Sequence, residues 1–569
     1  MMSVKKSLIL TLLIAFLYEL LLALQGFDLC DEGWVLSSYQ QIFNAPSSVE
    51  YYFVYYLSAF IGGVWNSIFG FAGILGFRIL TVLTLIGSIY FTYLTVKQYV
   101  TPIVIPIASS MLLLLLNFGI IVFDHTYLTA LSTAMLLFFT LKGINSEKKY
   151  LIFIGGILCG ITFFARIVNI TLIALVFLFL VEFIYTKNKK TLWENITVFV
   201  GGILSGIAFI VSLMLIFGHF DIFVKSVKNL FLTGGDAAAN HNVFLMLKLY
   251  VKQYIEIAVY LFGLFGATFF TNFIFKKIKI NILKILLIIV YTAVIAIFFS
   301  HLSTTKYYAV LLLPIVFSFY RDRKSKGIIL LNTASLIVMF CLPLGSDFGI
   351  ENMGAWSIFL ATFVAVIHIC RFIGEAIKKK KNYAYFFLFI SLYLVFAATN
   401  LYFLSRNAYF DCGSRLKKCY RADNSKFTVF TTQKKAVIID DVLENLQKYV
   451  KKGDYLFCFE SMPMLNYLTD THPYAGNSWI WAYSPDNFKR HLIEAEETLP
   501  LPVCIEQKCQ PIGGKWTEPD STHITENTYL YNKERIEIFK NFIIKHRYAI
   551  VWENDLFRIY VAKTASLKE

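Results

Sequence analysis

Residues 51–70 read YYFVYYLSAFIGGVWNSIFG, and the fate of this run decides the fold. Its length suits a membrane span, which takes about 20 apolar residues. It is also crowded with Tyr and Trp, whose polar tips favour the membrane–water interface. If the run crosses a bilayer, every later segment inverts. If it lies flat, the first apolar run ends in one long loop that holds it. The sequence places it flat on the surface, and the distribution of basic residues tests that choice.

The chain has 569 residues, of which 57% are hydrophobic and 16% charged, and its mean hydropathy is +0.63. A soluble protein carries roughly 25% charged residues. An ordinary cytosolic globule, a disordered chain and a fibrous repeat are therefore excluded. The expected class is a polytopic α-helical membrane protein. Apolar runs fall at 7–25, 74–96, 103–122, 126–142, 150–166, 168–186, 196–218, 254–275, 283–300, 307–320, 327–343, 355–373 and 383–403, about 13 spans. With the N-terminus inside, one set of connections carries 22 Lys and Arg and the opposite set only six: Arg166, Lys225, Lys228, Lys248, Lys252 and Lys306. Positive charge stays on the inner side, so this ratio supports thirteen spans, a cytoplasmic N-terminus and a C-terminus outside. Residues 26–73 contain no Lys or Arg, as a translocated loop should. The run 7–25 follows Lys5 and Lys6 but lacks an A-x-A site, and is expected to be an uncleaved first span.

The formal net charge of +15 does not indicate a nucleic-acid partner. Residues 404–569 carry 23 Lys and Arg against 21 Asp and Glu, so +13 of the excess lies among the apolar runs of residues 1–403. Those two ranges are the expected domains, a membrane domain and a soluble α/β domain outside. In the tail, 438–451 has helical spacing and Gly453 stops it; Asp454–Glu460 reads as a strand, 531–545 as a helix, and 548–552 with 556–561 as a hairpin. Cys412/Cys419 and Cys504/Cys509 are close pairs, equally readable as disulfides in an oxidising compartment or as thiols.

Acidic residues gather on the outer connections. The first outer loop reads Phe27-Asp28-Leu29-Cys30-Asp31-Glu32-Gly33-Trp34, three carboxylates in five residues without a neighbouring cation. Crowded carboxylates raise one another's pKa, which suits a general base. Asp28 and Glu32 are also candidate ligands for a divalent cation such as Mg or Mn through hard oxygens; a solvated acidic turn is the plain alternative. Asp124-His125 is a tight turn that could orient a sugar or phosphate, or simply cap a helix. Arg166 and Asn169 sit at an outward junction where a lipid phosphate would lie, although a cation at a span end often only snorkels. His301 and Lys306, the latter beside Tyr307, are phosphate-binding candidates or interface anchors. Asp347 and Asn352 lie in an outer loop that could hydrogen-bond a sugar. The connection 219–252, with Gly234-Gly235-Asp236 and His241, suggests a mobile loop.

Together these features resemble the GT-C class of membrane glycosyltransferases, and more closely its protein O-mannosyltransferase and lipid A aminoarabinose-transferase branch. Asp31-Glu32 matches the Asp-Glu of the family's first loop. The apolar 51–70 ending in Gly70, with Arg78 following, resembles the next stretch. Asp124-His125 is similar to the acidic turn after the third span, and Gly155-Gly156 and Gly160 before Arg166 to a Gly-rich run ending in a cation. Lys306-Tyr307 with Pro314 resembles the basic-Tyr-Leu-Pro signature, and Asp454–Phe457 with Pro463 and Tyr467–Thr469 the outer domain.

The resemblance implies a GT-C-like fold with interfacial helices in the first outer loop, in a plasma (inner) membrane. It implies transfer of a sugar from a polyprenyl-phosphate carrier to an envelope acceptor: lipid A in lipopolysaccharide, another glycolipid, a glycan or a protein. Asp31 would be the base of an inverting reaction, assisted by Asp28 or Glu32, and Lys306, Arg166 and His301 would meet the phosphate. A divalent ion and metal-free operation are equally open. The rival expectation is a transporter or flippase of lipid-linked sugars. That would place ionisable groups at mid-membrane in symmetric halves, whereas here they gather at one rim.

Overall fold

The computed structural model describes residues 3–116, 121–235, 243–299, 303–346, 348–378, 384–408, 410–510, 512, 516–520 and 532–563. His301 and Asp347 fall outside these residues, as do Asp236 and His241. Through residue 406 the chain is almost wholly helical: α1 (Val4–Ala23), α2 (Asp31–Gln41), α3 (Tyr56–Phe69), α4 (Gly73–Val96), α5 (Val104–Leu116), α6 (His125–Ser146), α7 (Lys149–Phe163), α8 (Phe177–Thr186), α9 (Lys189–Ile216), α10 (Phe220–Gly235), α11 (Val243–Lys277), α12 (Asn281–Phe299), α13 (Thr304–Arg321), α14 (Lys326–Cys341), α15 (Ile350–Ser357), α16 (Phe359–Lys378) and α17 (Ala384–Arg406). Among the described residues, seven helical stretches are long and apolar enough to cross a membrane: Val4–Ala23, Pro46–Tyr99, His125–Ser146, Ile167–Thr186, Lys189–Ile216, Phe359–Lys378 and Phe389–Arg406. Four shorter apolar helices accompany them. Their outward faces carry large exposed apolar side chains such as Leu21, Phe177, Leu204 and Phe209, as expected of a surface that meets lipid rather than water.

The deciding run is broken into pieces. Pro46–Tyr55 forms a 3-10 helix and Tyr56–Phe69 the α-helix α3, only 14 residues long. Gly70–Ala72 adds a second 3-10 turn, and Gly73, at φ +56°, turns the chain into α4. A second irregular stretch, the 3-10 segment Ile167–Val176, leads into α8 where the sequence suggests one uniform helix.

The C-terminal region contains a small hairpin of β1 (Asn407–Ala408) and β2 (Asp411–Cys412). A five-stranded mixed sheet follows, in the order β4 (His472–Pro473), β3 (Tyr455–Phe459), β5 (Val503–Gln507), β7 (Phe557–Ala562), β6 (Tyr548–Glu553). Helices α18 (Gln433–Leu446), α19 (Met464–Thr469), α20 (Pro485–Thr498) and α21 (Lys533–Lys545) complete it. β3 runs parallel to β4 and β5, and β6–β7 is an antiparallel hairpin with a bulge near Ile550/Trp552. The expected strand, hairpin and both helices are present, with α18 starting five residues earlier than its spacing suggests. The cysteines are thiols, so neither close pair is bridged.

Besides a core of its own around Phe457, Phe459, Phe488, Phe539 and Phe542, this region shares one with the first loop. One buried cluster joins Phe27, Leu29, Trp34, Tyr39, Phe53 and Phe77 to Phe427, Ile439, Leu456, Met464, Trp516 and Phe557. The first loop and the tail bury each other.

Candidate functional site

The loop between α1 and α2 is built to hold the start of α2. Asp28 Oδ1 accepts the Cys30 N–H (2.8 Å) and Oδ2 the Glu32 N–H (2.8 Å), so its carboxylate ties down two of the orphan donors at a helix start. It is buried. Burial and then the charge of Asp31 push its carboxyl well above the usual range, against those two amide bonds. Asp31, the first residue of α2, keeps part of its surface exposed. Gly33 is required by close approach: a Cβ there would lie 2.1 Å from Met464 N.

Glu32 has another task than the sequence suggests. Its two oxygens receive Arg78 Nε and Nη2, each at 2.7 Å, with side chains 3% and 7% exposed. Arg78 also donates to the carbonyls of Ala23, Gln25 and Gly26. This two-pronged pair locks the end of α1 to α4 and engages both carboxylate oxygens of Glu32. The other proposed ligand, Asp28, is likewise committed to backbone amides. Among the described residues no group of three His, Cys, Asp or Glu side chains is placed to hold a metal ion.

The Asp124-His125 turn stands beside this loop. Asp124 Oδ1 accepts from Thr126 N (2.9 Å), Tyr127 N (3.2 Å) and Thr126 Oγ1 (2.5 Å), so it caps α6. Burial raises its carboxyl to about 6, against those hydrogen bonds and with a further push from Asp31. His125 stacks on Tyr55 with ring centroids 3.9 Å apart. Tyr39, near the end of α2, donates to the Phe123 carbonyl (2.7 Å) and fixes α2 to the same turn.

Arg166 is close enough for its charge to act on His125. Its Nη1 and Nη2 donate to the carbonyls of Leu342 and Leu344 (3.0 Å each), which join it to the end of α14. Asn169 is buried nearby and donates to Thr129 Oγ1 (2.9 Å) and the Thr162 carbonyl (3.1 Å). Asp31, Asp124, His125 and Arg166 thus form one continuous neighbourhood.

Lys306 and Tyr307 belong to the first turn of α13. Lys306 is partly exposed and lies over the Tyr260 ring (6.0 Å), whereas Tyr307 is 2% exposed and packs in the bundle. The charge meeting this helix start comes from Glu351, which accepts from Thr304 N (2.8 Å), Thr305 N (3.1 Å) and Thr305 Oγ1 (2.9 Å). Asn352 next to it is exposed. The loop before Glu351 links Lys306 towards Arg166: Tyr250 donates to the Ser346 carbonyl (3.0 Å), and Gln253 bonds Phe348 O and Ile350 N.

Several parts of the site were not visible in the sequence. Trp34 Nε1 donates to Asn477 Oδ1 (3.0 Å), Gln40 to Asp470 (2.8 Å), and Met464 N to the Leu29 carbonyl (3.1 Å). Tail residues therefore form one wall around α2. These pairs lie more than four hundred positions apart, and no local pattern announces them. Tyr55 was readable only as an interfacial aromatic.

No protein-family model matches this sequence, and neither does any curated protein. Among solved structures, two crystal structures of the Archaeoglobus fulgidus oligosaccharyltransferase are similar. One, in complex with zinc and sulfate, matches at TM-score 0.45 and 11% identity, covering 87% of this chain and 68% of the other. The second, tethered by a disulfide to an acceptor peptide containing the NVT sequon, matches at TM-score 0.44 and 10% identity over 88% and 69%. At these values the likeness is distant.

Proposed function

We propose that this protein is a membrane glycosyltransferase of GT-C type. It moves a sugar from a polyprenyl-phosphate carrier to an envelope acceptor on the outer face of the plasma membrane. The observation that carries this reading is the adjacency of a partly exposed carboxylate, Asp31, to the Asp124-His125 turn and through it to Arg166. A base and a cation in one neighbourhood suit an inverting displacement at a glycosyl phosphate. In this scheme the chain crosses thirteen times, with its N-terminus cytoplasmic and residues 404–569 outside. The segment 46–72 lies along the interface.

Asp31 takes the proton of the acceptor hydroxyl as that oxygen attacks the anomeric carbon. The bond from that carbon to the phosphate oxygen breaks, and polyprenyl phosphate leaves with the electron pair. In this scheme Arg166 and Lys306 face the charge that grows on the leaving oxygen. Fixed cations at a developing anion are often the largest catalytic contribution. Asp28 holds α2 so that Asp31 is presented, and Glu32–Arg78 fixes the loop beneath it.

Asp31→Asn tests the assignment, because it keeps size and removes the base. In membranes supplied with lipid-linked sugars, transfer should fall by at least about a hundredfold, as for loss of a general base, while the thermal midpoint stays unchanged. Near-normal turnover in that variant would refute the reading. Carrier translocation without a new glycosidic product would favour the flippase instead.

A further inference from the structure

Asp31 as base raises the question of what carries the hydroxyl it deprotonates. Trp34 follows it by one turn on the same face of α2. The Trp34 ring meets Trp479 at 5.1 Å and the edge of Tyr55 at 6.1 Å, and Tyr55 stacks on His125 at 3.9 Å. Asp31, Tyr55, His125 and Trp479 each keep part of their surface exposed, while Trp34 between them is buried. They form an aromatic wall with a carboxylate at its edge.

Two ring nitrogens in this wall, Trp479 Nε1 and His125 Nδ1, are buried atoms without a hydrogen-bond partner. Trp479 also stacks on Trp481 (4.9 Å), and buried polar atoms are almost always paired, so two orphans in a wall whose rings keep partial exposure call for partners from a ligand. The ligand must combine an apolar face with a rim of groups that both donate and accept. A pyranose does so: its C–H face is polarised to complement an aromatic π-face, and each hydroxyl works in either direction. A purely apolar occupant would leave both nitrogens unsatisfied. An anionic group would be repelled by the Asp31 carboxylate.

We propose, building on the glycosyl-transfer reading, that this wall is the acceptor subsite and that the acceptor is a neutral carbohydrate. Its ring lies against Trp479 and Tyr55, one hydroxyl accepts from Trp479 Nε1–H, another bonds His125 Nδ1, and a third reaches Asp31. The phosphate-bearing donor then enters from the Arg166 side.

Saturation-transfer NMR on the full-length protein in nanodiscs tests this, with neutral methyl glycosides (gluco, galacto, manno) and a Ser/Thr peptide as probes. Ring C–H signals are expected for at least one glycoside. Affinity should be about tenfold lower in Trp479→Ala, the scale of one lost stacking and hydrogen-bonding platform. Trp479→Phe keeps the ring and loses the N–H; it should weaken binding less, and it decides the matter if the alanine variant fails to fold. Absence of glycoside binding, binding indifferent to Trp479→Ala and Trp479→Phe, or peptide binding that depends on Trp479 would overturn the subsite. Because binding needs no turnover, that outcome is separate from failure of the glycosyl-transfer reading, which rests on Asp31→Asn.

Discussion

At the scale of single residues, the carboxylates of Asp28 and Asp124 are governed by burial more than by one another. Asp124 is raised to about 6 chiefly by desolvation. A folded pKa above the unfolded value means that folding favours the protonated form. The stability contributed is complete below about pH 4 and is lost as pH rises through about 6. Two units correspond to about 3 kcal/mol as an upper scale. Asp124→Asn keeps an acceptor for the α6 cap and removes the titration. Thermal midpoints in nanodiscs between pH 4 and 8 should fall with rising pH in the wild type and fall less in Asp124→Asn; parallel profiles would contradict the assignment. Glu32–Arg78 makes the opposite case, a charge pair kept whole by mutual bonding. Arg78→Ala would strand a buried carboxylate, at a cost of about 3–5 kcal/mol. Glu32→Gln with Arg78→Met should recover much of that loss, as measured by folded yield and thermal midpoint.

At the scale of elements, two glycine-bearing helices set the frame behind Arg166. Gly156 and Gly160 on α7 face Gly202 and Gly206 on α9, so closely that a Cβ at Gly156 would lie 2.1 Å from the Phe199 carbonyl oxygen and one at Gly202 2.3 Å from that of Phe153. Small residues let helix backbones approach in a bilayer, where apolar burial does not favour one helix partner over lipid. The run Gly155-Gly156…Gly160 was legible in the sequence as a motif leading to Arg166, but its partner glycines on α9 were not. Gly156→Leu should lower the thermal midpoint through overpacking of about 1–3 kcal/mol or more, while Gly263→Leu on α11, where a Cβ meets nothing within 4 Å, should leave it unchanged. Equal effects would show that the α7–α9 crossing does not limit stability. The outer helix α10 is fixed differently: Lys225 bridges Glu50 (2.8 Å) and Glu494 (2.5 Å), and Asn229 donates to Glu50 (2.7 Å). The sequence suggested mobility for 219–252, yet this polar cluster ties α10 to both the first loop and the tail. Such ties join residues far apart in the chain and leave no periodic trace.

At the scale of the whole molecule, what the sequence made legible was whatever has a local period or composition. Apolar runs, the acidic first loop, the strand at 455–459 and the terminal hairpin are all of that kind. The mutual burial of loop and tail was not legible, because it depends on which distant apolar faces meet. Its hub is Asp411, fully buried, which accepts from Phe27 N (2.9 Å), Thr431 Oγ1 (2.7 Å) and Lys435 Nζ (2.9 Å). Close by, Gly26 N donates to the Phe430 carbonyl (2.8 Å) and Phe430 N to that of Leu24 (2.8 Å). Gly26 sits at φ +101° against Ala408, a conformation and an approach that only glycine accommodates well. The peptide that carries Asp28 and Asp31 is thereby threaded through the tail. Asp411→Ala leaves Lys435 buried without its carboxylate, a loss of about 3–5 kcal/mol. Hydrogen exchange should rise at residues 24–35 and 426–435 together, while the crossing of α7 and α9 stays protected. Transfer activity should fall although Asp411 touches no reacting atom. If exchange rises only in the tail and activity persists, the two regions are separable, and Asp31 is held by α2 and α4 without help from the tail.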